Sequence, residues 1–268
     1  MITLIHPNID PVILSFGQIS IRWYGLSYVL GFIIGFYLIK KINNYLKKPL
    51  NSKTIDDFLI WTALGVIFGG RIGYVLFYQT SSIINNPIEI LYIWRGGMSF
   101  HGGLIGTFIS SLIFAYKKNL NFFILTDFIT TVVPIGLFLG RIANFINVEL
   151  YGRVTNFYIG MIYPTIDLER RHPSQIYEAI FEGLIIFIVL ILIIRKNLSN
   201  SLYGINTFLF LVMYGSFRFF IEFLREPDSH IGFVFKYYTM GQLLCIPMII
   251  GGILIYLFFI KKNESNKK

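Results

Sequence analysis

Residues 123–152, FILTDFITTVVPIGLFLGRIANFINVELYG, begin as an apolar span and close on Arg141, Asn144, Asn147 and Glu149. A stretch of roughly 20 mostly apolar residues is long enough to cross the ~30 Å hydrocarbon layer as a helix. Arg141 rides out of that span, and an ionisable group in hydrocarbon costs on the order of 3 kcal/mol on insertion scales, so it needs a reason to be there. Arg71 and Arg218 repeat the pattern in two other apolar stretches. A polytopic membrane protein with chemistry at its polar residues is therefore the starting expectation.

The bulk of the chain agrees. It is 55% hydrophobic and 14% charged, with a mean hydropathy of +0.65, which excludes an ordinary soluble domain. Seven stretches have spanning length, near 21–39, 58–78, 98–116, 123–142, 176–194, 203–223 and 239–260. Lipid cannot satisfy bare peptide groups, so they are expected as helices. The fold class is thus all-α, seven transmembrane helices with a small external cap. No basic segment followed by a short apolar core opens the chain, so no cleavable signal peptide is expected. His6-Pro7 and Asp10-Pro11 predict an irregular or interfacial opening segment.

Charge sets the orientation. The connections after the first, third and fifth stretches, with the C-terminal tail, hold twelve of the thirteen lysines and only the acids Asp56, Asp57 and Glu264. The positive-inside rule places that side in the cytoplasm, with the N-terminus external and the C-terminus cytoplasmic. The net charge of +9 is accordingly a topology signal, and no nucleic-acid-binding motif accompanies it. Cys245 is the only cysteine, so no internal disulfide framework exists, and it reads as a small apolar packing residue.

One polytopic domain over 1–268 is expected, with an external arm near 79–97 and an external cap near 143–175. Alternating apolar residues in Phe157–Tyr163 suggest short strands in the cap. Thr54-Ile55-Asp56-Asp57 reads as a capping box for the second helix. Pro173-Ser174, with Glu178 in the first turn, reads as the start of the fifth.

In this orientation the unusual residues collect at one leaflet: Tyr24 and His101 at outer helix ends, and Arg71, Arg141, Arg218 and Glu222 in outer portions. Arg218, Glu222 and Arg225 share a helix face by spacing. They are either a self-neutralising pair or part of an anion site, and a guanidinium fork matches phosphate oxygens in two-pronged fashion. Glu149 and Glu222 are suited to hold the arginines or to bind substrate hydroxyls. The glycine-rich run Gly96-Gly97-Met98-Ser99-Phe100-His101-Gly102-Gly103-Leu104-Ile105-Gly106 offers N–H groups to an anion. Gly102 and Gly106 equally suit close helix packing. His101 is a natural proton acceptor, and Tyr24 is either a site residue or a member of an aromatic belt. His172 is a candidate or simply a residue at a helix mouth. No metal-ligand spacing, nucleophile elbow or phosphate-binding loop is found, so no metal or cofactor is expected.

The ordered set of these motifs resembles the bacterial phosphatidylglycerol–prolipoprotein diacylglyceryl transferases. It comprises Trp23-Tyr24-Gly25, Gly70-Arg71-Ile72-Gly73-Tyr74, His101 through Gly106, Gly140-Arg141 through Gly152, Arg171-His172-Pro173-Ser174-Gln175, and Tyr214-Gly215 through Arg225-Glu226-Pro227-Asp228. Ala143 departs from the family pattern, which has glycine there. The resemblance implies a transferase of the bacterial inner membrane that moves a diacylglyceryl group from phosphatidylglycerol to the cysteine of a prolipoprotein lipobox peptide, yielding a thioether and glycerol phosphate. It implies Arg141 and Arg218 on the phosphate and His101 as the candidate base for the thiol, with Tyr24 and Asn144 beside them; an arginine-rich field that lowers the thiol pKa unaided is the alternative to a base. Arg71, Gly102, Gly103, Asn147, Glu149, Gly152, Glu222 and Arg225 are expected to contact substrate. The partners so implied are that lipid, that peptide and the bilayer, with no nucleic acid. A transporter for an anionic solute and a structural membrane subunit are the rival readings.

Overall fold

The structure is a computed structural model that describes residues 4–17, 19–46, 50–78, 88, 92, 97–199, 202–227, 233–234 and 237–260. Among them the seven expected apolar stretches each fall on a helix. These are α1 (Trp23–Tyr45), α2 (Ser52–Tyr78), α3 (Phe100–Lys118), α4 (Phe122–Ile146), α5 (residues 174–199), α6 (Ile205–Ile221) and α7 (Met240–Ile255). Helix α5 is α-helical over Ser174–Glu178 and Ile186–Ser199, and π-helical over Ala179–Ile185 between them. Five of the helices, α1, α2, α4, α5 and α7, are long and apolar enough to cross a membrane, and α6 is apolar but shorter.

Helix α1 starts later than the apolar run suggested. Residues 19–22 pair as a strand (β3, Ile19–Arg22) against β2 (Val12–Phe16), turning at Gly17 with φ +59°. The Trp23 N–H donates to Pro11 O at 3.2 Å, so the hairpin leads straight into the helix. Helix α2 also begins differently: Asn51 Oδ1 accepts from Thr54 N at 2.7 Å and supplies the cap. The acids expected to form a capping box instead pair with lysines, Lys40–Asp56 at 2.6 Å and Lys118–Asp57 at 3.1 Å.

Contacts divide the chain into two compact units, Met1–Ile39 with Asp127–Lys268, and Lys40–Thr126. In the second unit, α2 and α3 approach along glycines. A Cβ on Gly69 would meet Gly106 Cα at 2.7 Å, and one on Gly73 would meet Gly102 Cα at 2.7 Å. Only glycine lets two helix backbones come this near.

In the first unit, Gly31 of α1 faces Gly136 of α4, and Gly183 of α5 faces the Phe138 backbone of α4. Ile186, Leu190 and Ile194 of α5 are fully buried at four-residue spacing. Asp127 ties α4 to the start of α6 by three bonds: its carboxylate accepts from Gly204 N at 2.7 Å, Thr207 N at 2.8 Å and Thr207 Oγ1 at 2.7 Å. It thereby caps the N-terminus of α6 from another helix, satisfying donors that a helix leaves open.

The expected cap region contains a small sheet of order β1 (Leu4–Ile5), β4 (Met161–Ile162) and β5 (Arg170–Arg171). Of the alternating run 157–163, only residues 161–162 form a strand. The expected arm over 79–97 lies outside the described residues apart from 88, 92 and 97.

Candidate active site

The C-terminal turn of α4 and the first turns of α5 build the first half of the site. Beyond α4 the chain takes positive φ at Val148 and Leu150, both +57°. A β-branched residue in that region is a strained outlier, costing on the order of 1–3 kcal/mol. Helix α5 holds the turn in place. Gln175 Nε2 donates to Glu149 O at 2.7 Å, and Ser174 Oγ donates to Leu150 O at 2.8 Å. Both residues are fully buried. So Pro173-Ser174 does open α5, but the serine hydroxyl clamps the neighbouring turn and leaves its own helix end uncapped.

The Glu149 carboxylate accepts from Asn144 Nδ2 at 3.0 Å and Asn147 Nδ2 at 3.3 Å. These three expected site residues form one group, and among the described residues Glu149 makes no ion pair with an arginine. Gly152 is a packing residue: its N–H donates to His172 O at 2.9 Å, and a Cβ there would lie 2.7 Å from Leu224 O. It also bridges to Arg225, whose carbonyl accepts from Arg153 Nε at 2.8 Å. Gly152 therefore serves backbone packing in this turn.

The arginines form the second half. Arg141 of α4 and Arg218 of α6 converge on two carboxylates of α5. Arg141 Nε lies 3.1 Å from Glu178 Oε2, and its Nη2 lies 3.4 Å from Glu182 Oε2. Arg218 Nη1 pairs with Glu178 and lies 3.7 Å from Glu182 Oε1. Its Nη2 pairs with Glu222 at 2.7 Å. Glu222 also accepts from Thr239 Oγ1 at 2.9 Å and lies 3.7 Å from Arg225 Nη1. Three guanidinium groups thus face three carboxylates, with Glu178 and Glu182 fully buried. Arg141 keeps 16% of its side chain exposed, and its Nη1 has no partner among the described residues.

Sequence reasoning missed the two acids that join the arginines. Glu178 was expected as a helpful first-turn charge, and Glu182 was not singled out. The signal was present: two acids spaced i, i+4 in an apolar span meet the same criterion that marked the arginines. Tyr28 was missed as well. Its hydroxyl shares a 3.0 Å hydrogen bond with Tyr24, and its ring lies within electrostatic reach of Arg141.

Two histidines of the first unit sit near these elements. His6 is 2% exposed; its Nε2 faces Phe145 O at 2.9 Å and its Nδ1 accepts from Asn8 N at 3.1 Å. Burial pushes its imidazole below the ordinary 6.5, against the opposing pull of the Phe145 carbonyl. His172 bonds Tyr177 Oη at 3.2 Å, and burial lowers its pKa too.

The remaining candidates belong to the second unit. Arg71 is 4% exposed, with Nη1 3.4 Å from Gly97 O and its guanidinium over the Tyr74 ring. The N–H groups of Gly102 and Gly103 were expected to meet an anion, yet both are occupied: Gly102 N donates to Ser99 Oγ at 3.2 Å and Gly103 N to Ser99 O at 2.9 Å. Both N–H groups thus serve the helix cap, and Gly102 also packs on α2, as noted above. His101 stands in the first turn of α3, and its side chain lies outside the described residues. Among the described residues no group of three or more His, Cys, Asp or Glu is arranged to hold a metal ion.

Comparison with known proteins gives this arrangement its context. The sequence profile described as "Prolipoprotein diacylglyceryl transferase" matches residues 11–258. The phosphatidylglycerol–prolipoprotein diacylglyceryl transferase of Rickettsia typhi is 52% identical over 249 residues, covering 93% of this chain and 96% of the relative. The proteins of the same name from Rickettsia canadensis and Rickettsia felis are 51% and 50% identical, each covering at least 92% of this chain and 95% of the relative. With the profile spanning most of its length and relatives at half identity from end to end, the chain belongs to the prolipoprotein diacylglyceryl transferase family.

Proposed function

We propose that this protein transfers the diacylglyceryl group of phosphatidylglycerol to a prolipoprotein, the reaction for which its relatives are named. The acceptor is the thiol of a lipobox cysteine. Sulfur attacks the glyceryl carbon that carries the phosphate ester, the C–O bond breaks, and glycerol phosphate leaves. A free thiol, with a pKa near 8.5, is only slightly ionised at neutral pH. Negative charge grows on the departing phosphate, so preorganised donors aimed there lower the barrier.

The observation that carries this reading is the meeting of Arg141 and Arg218, from separate helices, over Glu178 and Glu182. The carboxylates fix the two guanidinium groups in place. The open Nη1 of Arg141 then serves as the donor for a phosphate oxygen. Asn144, Asn147 and Glu149 order the headgroup's hydroxyls, and Tyr24 flanks them. Arg71 and His101 keep the roles expected of them, substrate contact and candidate base. All seven helices cross the bacterial inner membrane, the N-terminus is external, and the cap region near 143–175 stands at the external face.

Purified protein given labelled phosphatidylglycerol and a lipobox peptide is expected to place lipid on the peptide's cysteine. Failure to do so refutes the reading. Arg141→Lys keeps the charge but loses the fork. A lost charge-assisted hydrogen bond is worth about 1.5–3 kcal/mol, so kcat/KM should fall roughly 10- to 100-fold. A rate within twofold of the parent removes Arg141 from the phosphate.

A further inference from the structure

The three carboxylates of the arginine cluster are not held alike. Glu178 has Arg141 Nε at 3.1 Å and a direct pair with Arg218. Glu222 has Arg218 Nη2 at 2.7 Å and the Thr239 hydroxyl at 2.9 Å. Each of the three has one buried oxygen that accepts no hydrogen bond among the described residues, but Glu182 has only the two long contacts to guanidinium groups, 3.4 Å and 3.7 Å. It also lies inside the π-helical segment Ala179–Ile185, and such segments recur at functional sites. Around it stand Arg141 from α4, Arg218 and Tyr214 from α6, Cys245 from α7, and Glu178 on its own helix.

Arg141, Arg218 and Arg225 balance Glu178, Glu182 and Glu222. A phosphodiester brings one further negative charge into this buried group, where uncompensated charge is costly. The relief is a proton on the carboxylate whose ion pairs are weakest. We infer that Glu182 takes the proton of the incoming cysteine thiol, and that the bound phosphodiester is what readies it to do so.

This rests on the transferase reading and extends it. The S–H bond breaks and its proton passes to the Glu182 carboxylate. The sulfur electron pair forms the S–C bond at the glyceryl carbon, and the C–O pair leaves on the phosphate. Glu182 then returns the proton to the phosphate monoester, which departs as the monoanion. No other reactant is needed.

The test compares two lipobox peptides on the full-length protein, one with cysteine and one with selenocysteine, which is ionised at neutral pH without help. With the cysteine peptide, Glu182→Gln should lose about 10²- to 10⁴-fold in rate, the range of a positioned base. With the selenocysteine peptide the loss should shrink to within tenfold. Equal losses on both peptides mean a merely structural carboxylate and overturn the proposal, as does an unimpaired Glu182→Gln. If the peptide-dependent loss appears in His101→Gln instead, the proton belongs to His101. Should Glu182→Gln not fold, Glu182→Asp retains the charge. It is expected to show the same peptide dependence at smaller size, and equal losses there are equally fatal. Absence of lipid on either peptide with the parent protein strikes the transferase reading itself and is distinguished in that way.

Discussion

Glu178→Gln is the sharpest test of how the cluster is held together. Glu178 is fully buried and shared by two guanidinium groups, Arg141 at 3.1 Å and Arg218 directly. Removing one partner from a buried ion pair typically costs 3–5 kcal/mol, because the other charge is left uncompensated. Glutamine is isosteric and still accepts a hydrogen bond, which places the expectation at the low end, about 3 kcal/mol. At roughly 2–4 °C per kcal/mol for a chain of this size, the thermal midpoint should drop by about 6–12 °C. The assay is thermal unfolding of the detergent-solubilised protein, followed by circular dichroism. Glu226→Gln is the internal reference, since Glu226 meets Arg171 at 3.3 Å with 48% of its side chain exposed. An exposed pair is worth about 0–1 kcal/mol. If Glu178→Gln shifts the midpoint no more than Glu226→Gln does, the buried cluster is not a structural keystone and the reasoning fails.

Three further outcomes are expected. Asp127→Asn leaves at least one buried donor of the α6 N-terminus without its acceptor and should cost about 2–4 kcal/mol in the same unfolding assay. Eleven residues of helix, ~16 Å, separate Thr207 from Arg218, so the transfer rate per folded molecule should hold; a specific loss of rate contradicts the purely structural role. Because burial lowers the pKa of His6, the unfolded chain binds that proton first. Its contribution to stability is complete above about pH 6.5 and drains away as pH falls through the window below. His6→Gln should therefore flatten the dependence of the thermal midpoint between about pH 7.5 and 5, and an unchanged slope excludes His6 as a source. Gly106→Ala would drive a Cβ into Gly65 O and to 2.8 Å from Gly69 Cα. Overpacking of that kind costs about 1–3 kcal/mol, and an unaltered midpoint would mean that the α2–α3 backbones are not in contact.

The helices were legible because hydrocarbon imposes length and apolarity together, and every expected stretch contains one. Their starts were less so. Residues 21–22 look like the head of α1 by hydropathy, yet pairing with Val12–Phe16 claims them for a hairpin. The arginines announced themselves as charges in an apolar setting. Their partners did not, because Glu178 also fits the bland role of a first-turn acid, and local reading prefers the local explanation. What chooses between the two is a neighbour thirty-seven or forty residues away, Arg141 on one side and Arg218 on the other. Gly102 and Gly103 were ambiguous for the opposite reason. A glycine's missing side chain admits a ligand or a helix equally, and the sequence alone does not say which arrived.

The wide turn within α5 has a consequence for how this chain tolerates change. A π-helical segment accommodates a surplus residue relative to α pitch. Tightening Ala179–Ile185 to regular α geometry with every residue kept would turn one flank by about 100° against the other. Either Glu178 would rotate off the two guanidinium groups, or Ile186, Leu190 and Ile194 would rotate out of the interior. The aim of the acids is thus written in the pitch of the helix as much as in their kind, and an inserted residue in this segment should be far less forgiving than the loss of one.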